Sequence, residues 1–395
     1  MKKSLLMAMT ASLWLSCLSA EEMFDPTIPV VDMNDFDQPE TREKVVETVR
    51  AALHEHGFFA TINTGIDESI INEAFAAAKD YFDQPEAEKM KEYAPWTDGQ
   101  RGYIPFGSEK GKNLKAPDFK EFYHLGREWS EEQLQRLNCP KNIWPEKTEF
   151  ELKMKQYIAH LEVYMKKLSS VIALAMGCDE DFYDTYTSEG ESILRVVHYP
   201  PMEKNFVDKE AIWAGRHTDI NLFTILPQAT AEGLEVLLGD GTWMPVHAQK
   251  GSMIINAGDM TEAFSNGYFK SAVHRVKAPK DNLDSERFSM VFFVHAKKND
   301  LIYPLPHCVE WTGGKKKYAH AKSIELKAER FTENRQASDE FIQYLADCGV
   351  MDRLIDVKRA SYEAMSILRE RGLASDKVLK ALEDLETKSA GENGG

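Results

Sequence analysis

Residues 222–255 read LFTILPQATAEGLEVLLGDGTWMPVHAQKGSMII, and their rhythm is that of a β-sheet. Residues 222–226 form an apolar run stopped by Pro227, whose missing amide hydrogen suits the end of a strand. Segments 234–238 and 242–247 flank Gly239-Asp240-Gly241, residues that tolerate the positive φ angles of a tight hairpin. Residues 252–255 begin another strand. Outward from this stretch, 192–199 ends at Pro200-Pro201, and 269–277 and 287–295 follow downstream. At least seven short strands at this spacing predict a sandwich or jelly roll.

Helical periodicity surrounds the β region. Residues 41–56 place Val45, Val46, Val49, Ala52 and Leu53 on one face, and Gly57 stops the pattern before a strand over 58–62. A second helix is expected over 67–82, and a long one over 154–175 with Gly177 as its stop. Residues 92–147 read as irregular, rich in Gly, Pro and aromatic side chains. After Phe331 the chain turns helical again, and the polar tail 390–395 is expected to be disordered. The predicted class is α+β with a mainly β core. One unit spans 23–330, with an N-terminal part (26–180) and a jelly-roll core (about 190–300). A helical extension over 331–389 follows.

The 395 residues suffice for a full hydrophobic core without disulfides or structural metals. A formal net charge of -16 and the lack of a basic stripe exclude nucleic acid as a partner and leave a small molecule. The five cysteines are scattered and form no CxxC pair, so neither a disulfide framework nor a zinc site is expected. Lys2-Lys3 followed by the apolar run 4–20 resembles a secretory signal, although Leu18-Ser19-Ala20 is a poor cleavage site. Leu15-Ser16-Cys17 hints equally weakly at a lipoprotein, and translation from Met23 is a third reading of 1–22. The run is too short for a comfortable membrane span. Because the chemistry below draws on cytosolic metabolites, a cytoplasmic location is expected, with export as the alternative.

His217-Thr218-Asp219 lies between two expected strands, and His274 lies in a third. Two imidazoles and one carboxylate on one face of an octahedral ion leave three positions open, which suits ferrous iron that must bind a bidentate co-substrate and O2. The motif alone is weak: with 11 histidines and 64 acidic residues, chance supplies about 1.8 His-x-acid matches. His160-Leu161-Glu162 is such a match, but residues two apart in a helix point in different directions. In Arg287-Phe288-Ser289, strand alternation puts the guanidinium and the hydroxyl on one face. That pair would suit the distal carboxylate of 2-oxoglutarate, with Tyr199 as a third contact. Taken singly, Arg287 also reads as a surface charge, Ser289 as strand filler and Tyr199 as a core aromatic.

The chain resembles the isopenicillin N synthase-like branch of the iron(II)/2-oxoglutarate dioxygenases. The matching pieces are Ile28-Pro29-Val30-Val31-Asp32, His56-Gly57-Phe58-Phe59, Tyr199-Pro200-Pro201 and His217-Thr218-Asp219. Asn256-Ala257-Gly258-Asp259, Ser265-Asn266-Gly267, Val273-His274-Arg275-Val276 and Arg287-Phe288-Ser289 follow in order, so the likeness covers roughly residues 26–310. It implies a distorted double-stranded β-helix, iron on His217, Asp219 and His274, and 2-oxoglutarate on Tyr199, Arg287 and Ser289. It also implies hydroxylation, desaturation or cyclisation of a small molecule, with release of succinate and CO2. Plant members usually carry Asn two positions before the Tyr, where this chain has Val197. The extension beyond 331 is also atypical and is expected to cover the site or mediate association.

Three alternatives stand beside this reading. Isopenicillin N synthase itself keeps the Arg-x-Ser pair without using 2-oxoglutarate. Ethylene-forming oxygenases share the core and resemble the segment from Gly102-Tyr103 to Pro117-Asp118-Phe119, which would make Arg101, Tyr103 and His124 substrate contacts. A non-catalytic binding protein on the same scaffold is opposed by the complete ligand set. Arg195 shares the strand parity of Tyr199 and reads equally as a contact for an acidic substrate or as half of an ion pair. His295 shares the parity of Arg287 but reads first as a core histidine, and His54-Glu55-His56 as a solvated helix end.

Overall fold

The structure is a computed structural model and describes residues 27–97, 99–108, 118–146, 148–201, 212–247, 249, 251–278 and 284–392. In chain order, the strands of its two main sheets are β1 (Val30–Asp32), β2 (Phe58–Ile62), β3 (Gly102–Ile104), β4 (Glu121–Gly126), β5 (Ile193–Tyr199), β6 (Ile212–His217), β7 (Phe223–Pro227), β8 (Leu234–Leu237), β9 (Trp243–Pro245), β10 (Met253–Ala257), β11 (His274–Lys277) and β12 (Arg287–Val294). The larger sheet has the order β1-β2-β10-β7-β12-β5-β4-β3, and the smaller one β6-β11-β8-β9.

Strand alternation divides the core in two. Phe59, Val196, Ile225 and Ile255 point away from the smaller sheet, towards the helices Pro39–Glu55, Glu68–Phe82 and Glu149–Ala175. Their neighbours Phe58, Val197, Leu226 and Ile254 point the other way and meet Trp213, Val236 and Val276 of the smaller sheet. Every residue of β7 and β10 is buried, because both faces of these central strands are covered. The expected jelly-roll core flanked by helices is the observed one. Gly177, at φ 77, ends the long helix, and a Cβ there would come within 2.9 Å of the Trp311 ring.

Several expected segments have different limits. The stretch 92–147 contains β3, β4 and the helix Glu131–Leu137. All six residues of β4 are buried, so its polar Glu121 and His124 gave no alternation to read. The strand expected over 269–277 is reduced to β11, because the Phe269 amide donates to Ser265 Oγ and the Lys270 amide to the Leu53 carbonyl instead of to a ladder. β6 went unread, and His217 is its last residue.

Helical structure resumes before 331, at Pro306–Trp311 and Ser323–Glu333, so Phe331 lies inside a helix. Helices from 323 onward enclose a separate core that includes Ala328, Leu345, Val350, Leu368 and Leu382. The last of them reaches Glu392, into the tail expected to be disordered; residues 393–395 lie outside the described residues. So does the signal-like segment 1–22. Among the described residues the cysteines are free, and no helix is long and apolar enough to cross a membrane.

Candidate active site

His217 ends β6, His274 opens β11, and the two are cross-strand partners. Their ring centroids are 4.3 Å apart. Asp219 reaches back so that its Oδ1 lies 3.8 Å from His217 Nε2 and 3.7 Å from His274 Nε2. The ligand atoms of this trio all lie within 4.8 Å of one another. The ladder slips out of register just beyond His274, a local irregularity of the kind that redirects side chains at a sheet's end.

Neighbouring groups fix how each donor points. His217 Nδ1 lies 2.7 Å from the Gly215 carbonyl oxygen, and His274 Nδ1 lies 3.1 Å from that of Ala272. A carbonyl can only accept, so each Nδ1 carries the proton and each Nε2 keeps its lone pair. Asp219 Oδ2 accepts from Thr224 Oγ1 at 2.6 Å and from Asn256 Nδ2 at 2.9 Å, leaving Oδ1 to face the imidazoles. Asn221 Nδ2 donates to Thr224 Oγ1 at 2.8 Å and so orients that hydroxyl. Gly258 closes against this loop: a Cβ there would come within 2.1 Å of Asn221 Oδ1.

The electrostatics agree with the geometry. Burial alone would raise the Asp219 pKa, but the two imidazoles and the two hydrogen bonds outweigh it and hold the group below its ordinary value. The His217 side chain is 42% exposed where it faces the outer cavity, yet its close surroundings desolvate it and, with the neighbouring His274, hold it down to about 4. The trio therefore offers a neutral His217 nitrogen, the Nε2 of His274 and one anionic oxygen, with one side open. That donor set fits a ferrous ion.

Two cavities meet at this trio, sharing His217 and Asp219 in their walls. The inner one lies between the sheets and is lined by Tyr199, Arg287 and Ser289, with Val197 and Leu226 as apolar wall. Arg287 and Tyr199 are cross-strand partners, and the guanidinium carbon sits 5.0 Å from the tyrosine ring centroid. Arg287 Nε donates to the Ala231 carbonyl at 3.0 Å, whereas its buried Nη1 has no hydrogen-bond partner among the described residues. Burial lowers the Arg287 pKa, yet a guanidinium stays protonated. An unsatisfied, fork-shaped cation inside the protein fits the far carboxylate of a bound dicarboxylate.

The outer cavity, about 210 Å³, is lined by His124, Arg195 and His295. Arg195 Nε donates to His124 Nε2 at 2.7 Å, and its guanidinium lies 4.3 Å from the Phe122 ring centroid. His295, expected first as core, stands on this cavity wall. Two expected contacts are elsewhere. Tyr103 is core: its hydroxyl donates to Glu121 Oε2 at 2.5 Å, and Glu121 also takes Lys89 and His198. Arg101 is buried behind the cavity against Gly126, with Nη1 on the Gln100 carbonyl.

Lys327, Arg330, Phe331 and Glu333 complete the outer wall, and sequence reasoning did not find them. They come from the helix Ser323–Glu333, where a run of charged residues reads as a solvated face. Asp118 is a further positioning residue: its Oδ1 accepts from the Gly215 amide at 3.0 Å, just before His217.

Known proteins resemble this chain in sequence and fold. The family model described as "2OG-Fe(II) oxygenase superfamily" matches residues 190–296, and "non-haem dioxygenase in morphine synthesis N-terminal" matches 28–147. A 2-oxoglutarate-dependent dioxygenase of Aspergillus niger is 32% identical over 276 residues, which are 68% of this chain and 84% of that protein. Another, from Talaromyces stipitatus, is 31% identical over 71% of this chain and 90% of its own. A crystal structure of a 2OG-Fe(II) oxygenase family protein from Caulobacter crescentus superposes with a TM-score of 0.70 at 31% identity, covering 78% of this chain and 99% of that one. A full-length Neurospora crassa protein solved with alpha-KG gives a TM-score of 0.69 at 26% identity, covering 77% and 95%.

Proposed function

Because the chain belongs to the 2-oxoglutarate/Fe(II) oxygenase superfamily, we propose that His217, Asp219 and His274 hold its iron and that Arg287, Ser289 and Tyr199 hold its 2-oxoglutarate. The protein is an oxidoreductase, a 2-oxoglutarate-dependent dioxygenase that acts on a small molecule. The observation that carries the residue assignment is the pairing of two unsatisfied features. Three converging donors line one end of the inner cavity, and the unpartnered Arg287 Nη1 is buried in a residue lining the same cavity.

Bound iron and 2-oxoglutarate supply the oxidising power, with O2 as oxidant and succinate and CO2 as products. The chain's part is positioning and exclusion of water. The Gly215 and Ala272 carbonyls keep both imidazoles in the ligating tautomer. Thr224 and Asn256 fix the carboxylate rotamer of Asp219. Arg287 and Ser289 set the depth of the dicarboxylate, while Val197, Leu226 and Val276 keep that pocket apolar. The substrate lies in the outer cavity, where Phe293 and Phe331 give apolar surface next to the centre. Hydroxylation, desaturation and cyclisation are the outcomes open to it. Tyr103's place in the core removes one support for an ethylene-forming reading.

The test is the visible spectrum of anaerobic protein with Fe(II) and 2-oxoglutarate, in which chelation gives a weak charge-transfer band. His217→Ala abolishes the band, and Arg287→Ala shifts its formation to much higher 2-oxoglutarate. Iron binding without a band at saturating 2-oxoglutarate would favour an oxidase of the isopenicillin N synthase type. Failure to bind iron would overturn the assignment.

A further inference from the structure

We propose that Lys327, with His295 beside it, anchors an anionic group of the substrate, so that the outer cavity takes a small carboxylic acid with an apolar body. The inference rests on the oxygenase reading of the adjoining centre and adds the class of its substrate.

Lys327 is only 6% exposed, yet lines the outer cavity. Its carboxylate neighbour, Glu191 Oε2, is 3.9 Å away, beyond hydrogen-bond reach. Glu191 is already engaged: Lys298 Nζ lies 2.8 Å from Oε1, and the Cys139 thiol donates to the same atom at 2.6 Å. Two lysines thus share one carboxylate, and the buried Arg101 adds a third cation within electrostatic range of Lys327. Glu191 cannot neutralise them all. Burial, and after it the nearby Lys298 and Arg101, accordingly hold the Lys327 pKa below its ordinary value, and an anion bound at this nitrogen would restore its charge.

His295 supplies a second, independent sign of a missing partner. It is 7% exposed, stands on the same wall, and its Nδ1 has no hydrogen-bond partner among the described residues. Burial, helped by the nearby Lys327 and His124, holds its pKa well below the ordinary value. The ring is therefore neutral, adding a hydrogen bond but no charge. An ammonium and an imidazole N–H suit the two oxygens of one carboxylate. Ile193, Phe293 and Phe331 line the same cavity and would contact an apolar body reaching towards the metal centre.

The test uses the full chain with Fe(II) and saturating 2-oxoglutarate under argon, so that the inner carboxylate site is filled. Probes are benzoate, phenylacetate, 3-phenylpropionate and 4-phenylbutyrate, each paired with its primary amide, titrated calorimetrically. At least one acid is expected to bind about tenfold or more tightly than its amide. Lys327→Met removes that preference, Lys327→Arg keeps most of it, and 2-oxoglutarate binding is unchanged in both. If every acid binds no better than its amide, or none binds while 2-oxoglutarate does, the anchor is wrong and the oxygenase reading stands. Retention of the preference in Lys327→Met also overturns it. Failure of wild-type protein to bind 2-oxoglutarate takes down both readings. The wild-type comparison decides the matter even if Lys327→Met does not fold.

Discussion

Arg330 Nη1 donates to the Thr218 carbonyl oxygen at 2.8 Å, tying the C-terminal helical region to the residue between His217 and Asp219. Its Nη2 also meets Asp259, and the Asp259 amide donates to the Asp219 carbonyl at 2.8 Å. Replacing Arg330 by Met leaves Asp259 without its charge partner. Urea unfolding should show a loss of about 1–3 kcal/mol. Iron titration should show weaker binding, although no ligand has been changed. An Arg330→Met variant with wild-type iron affinity would mean that the extension only covers the site.

Thr224 and Asn256 touch Asp219 Oδ2 and are placed to keep its other oxygen towards the imidazoles. Thr224→Val and Asn256→Ala should each weaken Fe(II) binding by about 10–100-fold. Equilibrium competition with a chelator measures this directly. The fold should survive both changes, which circular dichroism would verify.

Gly258 is required by space, since its φ of -97 is open to any residue. A methyl group there would strike Asn221, whose amide orients Thr224. Gly258→Ala should cost about 1–3 kcal/mol of stability. It should also weaken iron binding, because the strain falls on the loop that carries Asp219. Loss of stability without loss of iron affinity would show that the loop relaxes elsewhere.

The metal-free protein should gain stability as pH rises from about 4 towards about 6.5. His217 is held down to about 4 and His295 well below its ordinary value, so both stay neutral in the fold where the unfolded chain takes up protons. The unfolded state then binds more protons, and acidification favours it. Glu329 works the other way: burial, and next Glu333, push it up to about 7, so the fold retains a proton that the unfolded chain releases. Urea midpoints at about pH 5 and 7 should therefore converge in His295→Gln and diverge further in Glu329→Gln. No change in either variant would refute the linkage.

The His217–Asp219 pair and the Arg-x-Ser pair were legible in the sequence because each depends on short-range geometry, whereas His274 joined them through the family resemblance. Alternation along β12 puts Arg287 and Ser289 on one face whatever the rest of the chain does. The central strands were legible for the same reason, since turn residues and apolar runs are local signals. His124 and Arg195 line the outer cavity, whereas Tyr103, equally plausible as a residue type, packs in the core and Arg101 lies buried against Gly126.

Only the tertiary structure decided those last cases, and the physical reason is that burial and charge pairing are not local. Lys89 and Glu121, 32 residues apart, create the buried polar cluster that takes Tyr103 out of the site. β4 hid in a Gly- and Pro-rich segment because a strand covered on both faces shows no period of two. Lys327 and Arg330 are indistinguishable in sequence from charges on a solvated helix face. What makes them part of the site is that their helix packs across the open end of the β-core, where one lysine lacks a close carboxylate and one arginine reaches Thr218. The sequence by itself determined the candidate donors and the sheet that carries them; the packing of distant helices decided what closes over the outer cavity.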